Sequence, residues 1–160
     1  MAASAVNIER RGADAIGELE PLWLELKNHH GACTPNVPVR GDAESWSLRR
    51  RDYERWLSEP GAFLLVARED GRTAGYALVR LEEAGPTWSE PARVAVVQDI
   101  AVAESARGGG IGRALLDRVG GESGCDVVQL AVLCANVSAK AFYERLGFEP
   151  FVEILRRRDQ

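Results

Sequence analysis

The segment RGGGIG, Arg107 to Gly112, joins a strand-like run, ARVAVVQDIAV, to the stretch IGRALLDRVGGESG. Four of its six residues are glycine. Each glycine lowers helix propensity and raises the entropic cost of ordering the chain. A junction so rich in them implies a backbone shape or a close approach that side chains would block. Directly after it Ile111, Leu115 and Val119 recur every four residues and form an apolar stripe. The chain must therefore pass from a strand, through a tight turn, into an amphipathic helix.

The other elements follow from period and punctuation. SAVNIERR reads as a short strand, and DAIGELEPLWLELKNHH from Asp14 as a helix interrupted near Gly17 and Pro21. GACTPNVPVRGD is a loop, with two prolines and two glycines. SWSLRRRDYERWL, Ser45 to Leu57, suits a half-buried helix ended by Glu59-Pro60-Gly61. AFLLVARED and RTAGYALVRLEE flank Glu69-Asp70-Gly71 and predict an antiparallel hairpin. ARVAVVQDIAV is a further strand, and DVVQLAVLC one after the glycine-led helix. Asn136 is positioned to cap VSAKAFYERLG, which Gly147 closes, and FVEILRR supplies a last strand. The sum is an α/β domain with a mixed, largely antiparallel central sheet flanked by helices. Its 160 residues, 46% hydrophobic, suffice for one sizeable core, so a single domain over 1–160 is expected.

Charge and cysteine content exclude several function classes. The net charge is -4, and the longest basic runs, Arg49 to Arg51 and Arg156 to Arg158, are too short for a nucleic-acid tract. Cys33, Cys125 and Cys134 are odd in number, widely spaced and without a Cys/His ligand pattern, so no metal is expected. No stretch approaches a membrane span, and MAASAVNIERR lacks a long apolar segment. The expected setting is a reducing cytoplasm.

The N-terminus of a helix leaves backbone N–H groups without intrahelical acceptors, and its field favours an anion. Glycines at 108, 109, 110 and 112 would let a diphosphate meet that backbone, with Arg107 adding charge at the mouth. Tight strand-to-helix packing is the other use of such glycines. A nucleoside-triphosphate loop would require GxxxxGK with Ser or Thr, which is absent. A dinucleotide fold would set GxGxxG near the first strand of a βαβ repeat, whereas this junction follows several antiparallel strands.

QDIAVAESARGGGIGRALLDRV resembles the acetyl-coenzyme A motif of the GCN5-related N-acetyltransferase (GNAT) superfamily, through Arg107, Gly110 and Gly112, with Gly108 in its commonest form. VVQLAVLCANVSAKAFYERLGF resembles the rest of that core, including an Asn at a helix start and a Tyr before the terminal Gly-Phe. The resemblance implies an acetyl-CoA core over 92–151 and acceptor-binding helices within 1–60. It implies that the backbone from Arg107 through Gly109, Gly110, Ile111 and Gly112, with Arg113, holds the diphosphate of acetyl-CoA. Ile100, Ala101 and Val102 would pair through their backbone with the pantetheine arm, Asn136 would approach it, and the thioester would lie where this strand and the next diverge.

Acetyl transfer requires an uncharged amine, attack on the thioester carbonyl, oxyanion stabilisation and a proton for the departing thiolate. By resemblance Tyr143 presents its phenol to the sulfur as general acid, and transfer is direct. Family members often use a strand carboxylate as base. Asp99 is the one on this strand, as proton relay or substrate orienter, with a fold-edge or surface role as its alternative. His29 and His30 could line the acceptor site or merely end a helix, and Cys134 is expected to be structural. The loops at 34–42 and 85–93 and the aromatic residues Trp46, Tyr53, Trp56 and Trp88 could wall the acceptor pocket or pack in the core. The acceptor is a small-molecule amine or a protein amino group. Pairing of two copies is one option the resemblance carries. The competing functional reading is a catalytically inactive acyl-CoA sensor or binding module.

Overall fold

The computed structural model describes residues 6–159. Strands β1 (Asn7–Arg11), β2 (Phe63–Glu69), β3 (Arg72–Glu83), β4 (Arg93–Val102) and β5 (Val128–Leu130) form one sheet in that order. The first four are antiparallel neighbours, and β5 runs parallel to β4. The β2–β3 connection is the two-residue turn Asp70-Gly71, with φ of 49° and 76°. That is the turn whose twist matches paired strands, and Gly takes its second left-handed position without steric cost.

A 3-10 helix, Ala13–Leu19, leads into α1 (Glu20–Cys33), with Pro21 in its first turn where the missing N–H costs nothing. α2 spans Asp42–Leu57, α3 Ile111–Ser123 and α4 Val137–Arg145. Side chains alternate between two layers, as a pleated strand requires. Leu64, Val66, Tyr76 and Leu78 pack with Ile16, Leu19, Trp23 and Tyr53 beneath α1 and α2. Leu65, Ala67, Ala77 and Val79 pack with Ile111, Leu115 and Val119 of α3. Burying a Leu or Ile side chain contributes about 1.5–3 kcal/mol, so the two layers hold the sheet from both faces. Among the described residues no helix is long and apolar enough to cross a membrane.

Strand β4 carries the irregularity that shapes the site. Leu78 pairs with Asp99, but Val79 pairs with Val97, so Gln98 is an extra residue bulged out of the ladder. Before the bulge Ala95 and Val97 belong to the α3 layer. After it Ile100 and Val102 do, and Ala101 belongs to the α1/α2 layer. Asp99, two residues from Ala101, is thereby delivered to the α1/α2 side. Pairing of β4 with β5 stops at Val97–Leu130, while β3 follows β4 on to Val102. From Gln98 onward β4 is hydrogen-bonded on one side only, and the sheet splits there.

Three sequence expectations change. The strand expected over DVVQLAVLC is only Val128–Leu130, because β4 leaves it after three pairs. FVEILRR is no strand: Phe151, Val152, Ile154 and Leu155 are all largely exposed, so neither of its faces is buried. The segment is tied instead by Phe151 against Trp88, ring centroids 5.2 Å apart, and by Arg158 donating to the Asn36 carbonyl. The opening strand is Asn7–Arg11, and Ser4 and Ala5 lie outside the described residues.

Candidate functional site

The glycine junction uses its glycines in two ways. Gly108 and Gly110 both have φ of 82°, and Gly110 is the N-cap of α3. L side chains rarely adopt that conformation. The first helical bond is Ala114 N–H to Gly110 carbonyl, so the N–H groups of Ile111, Gly112 and Arg113 precede any intrahelical acceptor. The first turn contains no acidic residue, and a Cβ built on Gly110 meets nothing within 4 Å. Gly112 differs: a Cβ there would stand 3.2 Å from Phe142 Cζ. Its bareness admits α4, so tight packing accounts for this glycine, whereas Gly108 and Gly110 combine left-handed backbone with open space where a Cβ would stand. Arg107 donates from Nε to the Val102 carbonyl at 3.2 Å, which ties the turn to the end of β4.

The cleft between this turn and α1 is lined by Glu25, Asn28, His29, Glu104 and Arg107 and has a volume of about 310 Å³. Along the unpaired edge of β4, the Ile100 and Val102 side chains pack into the α3 layer and leave their backbone at the split. Asn136 caps α4 by accepting from Ala139 N–H at 3.3 Å. Ser138 Oγ and His29 Nε2 also lie 3.3 Å from the same Oδ1. With donors gathered on the oxygen, the amide NH2 of this buried residue is left to point away from the helix. His29 thus bridges α1 and α4 across the split. Cys33, one turn on, has its sulfur 3.7 Å from His29 Nε2. Cys134 is exposed.

Tyr143 lies on α4 between Phe142 and Phe148, with centroids 5.3 and 5.7 Å away. Burial raises its pKa, which keeps the phenol protonated. Among the described residues its hydroxyl has no hydrogen-bond partner, and no buried side-chain oxygen lacks one, so the hydroxyl reaches accessible space. Such a group can give up a proton to a strong base that arrives beside it.

Asp99 lies on the one-sided stretch of β4 but is no surface residue: its side chain is only 8% exposed. Tyr53 of α2 donates to its Oδ2 at 2.7 Å, and Arg49 Nη1 stands 3.6 Å from the same oxygen. Tyr76 of β3 is 2.7 Å from the Tyr53 hydroxyl. Since Tyr53's one proton goes to the carboxylate, Tyr76 donates to Tyr53. Burial raises the Asp99 pKa to about 6, against the pull of Arg49 and Tyr53. Oδ1 has no partner among the described residues and, as no unpartnered side-chain oxygen is buried, it opens to the outside. A carboxylate with one oxygen held and one open can accept a proton.

The α1/α2 side of Asp99 is aromatic. Arg49 lies over Trp23 at 4.3 Å, with Trp56 and Tyr53 at 5.4 and 5.8 Å. Trp46 and Tyr53 are core residues, whereas Trp88 is 55% exposed beside Phe151. His30 has its pKa lowered by burial first, then by His29 and Arg49. Sequence reasoning named Asp99 but missed Arg49 and Tyr76. One signal was present: Arg49, Tyr53 and Trp56 lie at i, i+4 and i+7, a cation on an otherwise aromatic helix face.

The sequence model of the Acetyltransferase (GNAT) family matches residues 23–148. A mycothiol acetyltransferase of Salinispora tropica is 32% identical over 143 residues, covering 87% of this chain and 42% of that protein. One from Salinispora arenicola is 35% identical over 136 residues, with 82% and 42% covered. The chain spans less than half the length of these curated relatives. Among solved structures, a mutant Bacillus halodurans protein superposes with a TM-score of 0.82 at 21% identity, covering 96% of this chain and 99% of its own. An aminoglycoside N-acetyltransferase in complex with CoA gives 0.71 at 18%, with 99% and 97% covered. At such identities these likenesses carry the fold alone.

Proposed function

Because the chain belongs to the acetyltransferase (GNAT) family, we propose that it transfers an acetyl group from acetyl-CoA to an amine by direct attack. The observation that carries this reading is the split after Val97–Leu130, which has a protonated phenol on one side of the sheet and a half-open carboxylate on the other.

The residues present fit acetyl-CoA. The left-handed Gly108 and Gly110 and the free N–H groups opening α3 suit a diphosphate, with Arg107 and Arg113 adding charge. The one-sided edge of β4 from Gln98 to Val102 offers backbone partners to the amide groups of a pantetheine arm, and the Asn136 NH2 offers a donor. Bound there, acetyl-CoA supplies the activated acyl group. Oδ1 of Asp99 takes the proton of the attacking nitrogen from the α1/α2 side, directly or through water. Tyr143 returns a proton to the leaving sulfur from the α4 side. Acid and base on opposite faces of the split do not neutralise each other.

The acceptor enters past α1 and α2, where the open oxygen of Asp99 can receive an ammonium-bearing molecule. The curated relatives are named for mycothiol, so mycothiol lacking its acetyl group belongs in the acceptor panel with other small amines and peptide amino termini. The test is CoA thiol release from acetyl-CoA with each acceptor, matched against acceptor mass. A gain of one acetyl with equimolar thiol supports transfer. Cofactor binding with no acceptor modified across the panel would favour an acyl-CoA sensor and overturn it. Light scattering on the same sample reads whether two copies pair.

A further inference from the structure

Asp99 is held from another layer of the protein. Tyr53 and Arg49, both on α2, meet one carboxylate oxygen, and Tyr76 backs Tyr53 from β3. We propose that α2 is the holder of the β4 carboxylate: Arg49 and Tyr53 are positioning residues that fix Oδ2 of Asp99, turn Oδ1 to the incoming amine and set the pH at which it accepts a proton. This rests on the proposed acetyl transfer for its kinetic consequence but not for its structural one.

The phenols cannot be the proton's exit. Tyr53 and Tyr76 are fully buried, and burial drives both pKa values upward, so neither ionises. The chain Tyr76–Tyr53–Asp99 ends in the core and has no outlet through Tyr76. Tyr53 is a fixed donor, itself oriented by Tyr76, that favours the charged carboxylate and restrains its rotation. A proton taken up at Oδ1 leaves by the way the amine came in.

Arg49 is in turn fixed by stacking on Trp23 and by Asp52, 3.7 Å away. The charged and titratable groups around the carboxylate are therefore Arg49, Asp52 and Tyr53 from α2, Tyr76 from β3, and His30 of α1 through Arg49. Their effects on Asp99 differ in sign. Arg49 and Tyr53 favour the carboxylate, and Asp52 opposes it.

The experiment is a carbon-13 carboxyl NMR titration of Asp99 in the whole chain, with the pH profile of kcat alongside. Tyr53→Phe should raise the Asp99 midpoint by about one to two pH units, the usual weight of a hydrogen bond to a charged group. Arg49→Met should raise it too. Asp52→Asn, on the outer face of α2, should lower it, an inversion that general damage to the fold would not produce. The acid limb of kcat should move with each midpoint. If the midpoint stays put in Asp52→Asn and in whichever α2 core variant folds, α2 is not the holder and the inference falls. If the midpoint moves but kcat does not follow, α2 holds the carboxylate as stated and it is the base role of Asp99 that fails.

Discussion

Phe142 of α4 fills the space that Gly112 of α3 leaves open, with a Cβ on Gly112 reaching to 3.2 Å from Phe142 Cζ. Two helices separated by a strand thus touch through a glycine of the junction whose Cβ would crowd a side chain of the other helix. Gly112→Ala should cost about 1–3 kcal/mol, the usual range for forced repacking. Gly121, in the same helix with nothing within 4 Å, is the control. Gly121→Ala should gain about 0.5–1 kcal/mol from helix propensity. Urea unfolding of both variants checks the opposite signs, and equal shifts would deny the contact.

Gly110→Asp sets a negative charge and a strained φ of 82° at the opening of α3. Calorimetry with CoA should read at least about a tenfold loss of affinity, equivalent to roughly 1.4 kcal/mol. A thermal melt identifies any part due to unfolding. Unchanged affinity in a folded variant would move the diphosphate elsewhere.

Tyr143→Phe removes only the phenolic oxygen, which has no protein partner among the described residues, and leaves the ring between Phe142 and Phe148. Stability should change little, and acetyl-CoA binding should persist. Turnover should fall by about 10²-fold or more, the usual contribution of a positioned acid. Stopped-flow acyl transfer that matches the parent would remove Tyr143 from the reaction.

Asp99 is raised from the ordinary 3.8 to about 6 in the folded chain. The folded state therefore binds more proton between those values, and stability falls as pH rises through that window. Below it both states are protonated and the effect vanishes. Asp99→Asn lacks this penalty, so relative to the parent it should gain about 2–3 kcal/mol between pH 4 and pH 7 while losing activity. Denaturant curves at several pH values test it. A constant difference across the range would mean the carboxylate is not held at raised pKa.

Sequence legibility followed locality. The hairpin at Asp70-Gly71, the stripe of Ile111, Leu115 and Val119, and the Asn136 cap rest on contacts within a few residues, and the sequence predicts each where it lies. FVEILRR reads as a strand because Phe, Val and Ile suit a pleat, but a strand also needs a partner, and β5 is three residues long. The Asp99 cluster was legible only in part. Tyr53 and Asp99 are 46 positions apart, and nothing in local spacing tells which layer an Asp on a strand will enter. The family, by contrast, is readable from RGGGIG, because its residues neighbour one another in a single short motif.

The extra residue in β4 gives that strand two frames. Counting by twos from Ala95 and Val97 would send Asp99 to the α3 layer, away from Tyr53 and Arg49. Gln98 drops out of the ladder, so Asp99 follows Val97 as if it were the adjacent residue and takes the opposite face. Deleting Gln98 would only remove the bulge and leave Asp99 beside Leu78 on the α1/α2 face. Were Gln98 instead drawn into the ladder as an ordinary residue, every side chain proposed for the reaction would remain and the carboxylate would still move through the sheet to the other face.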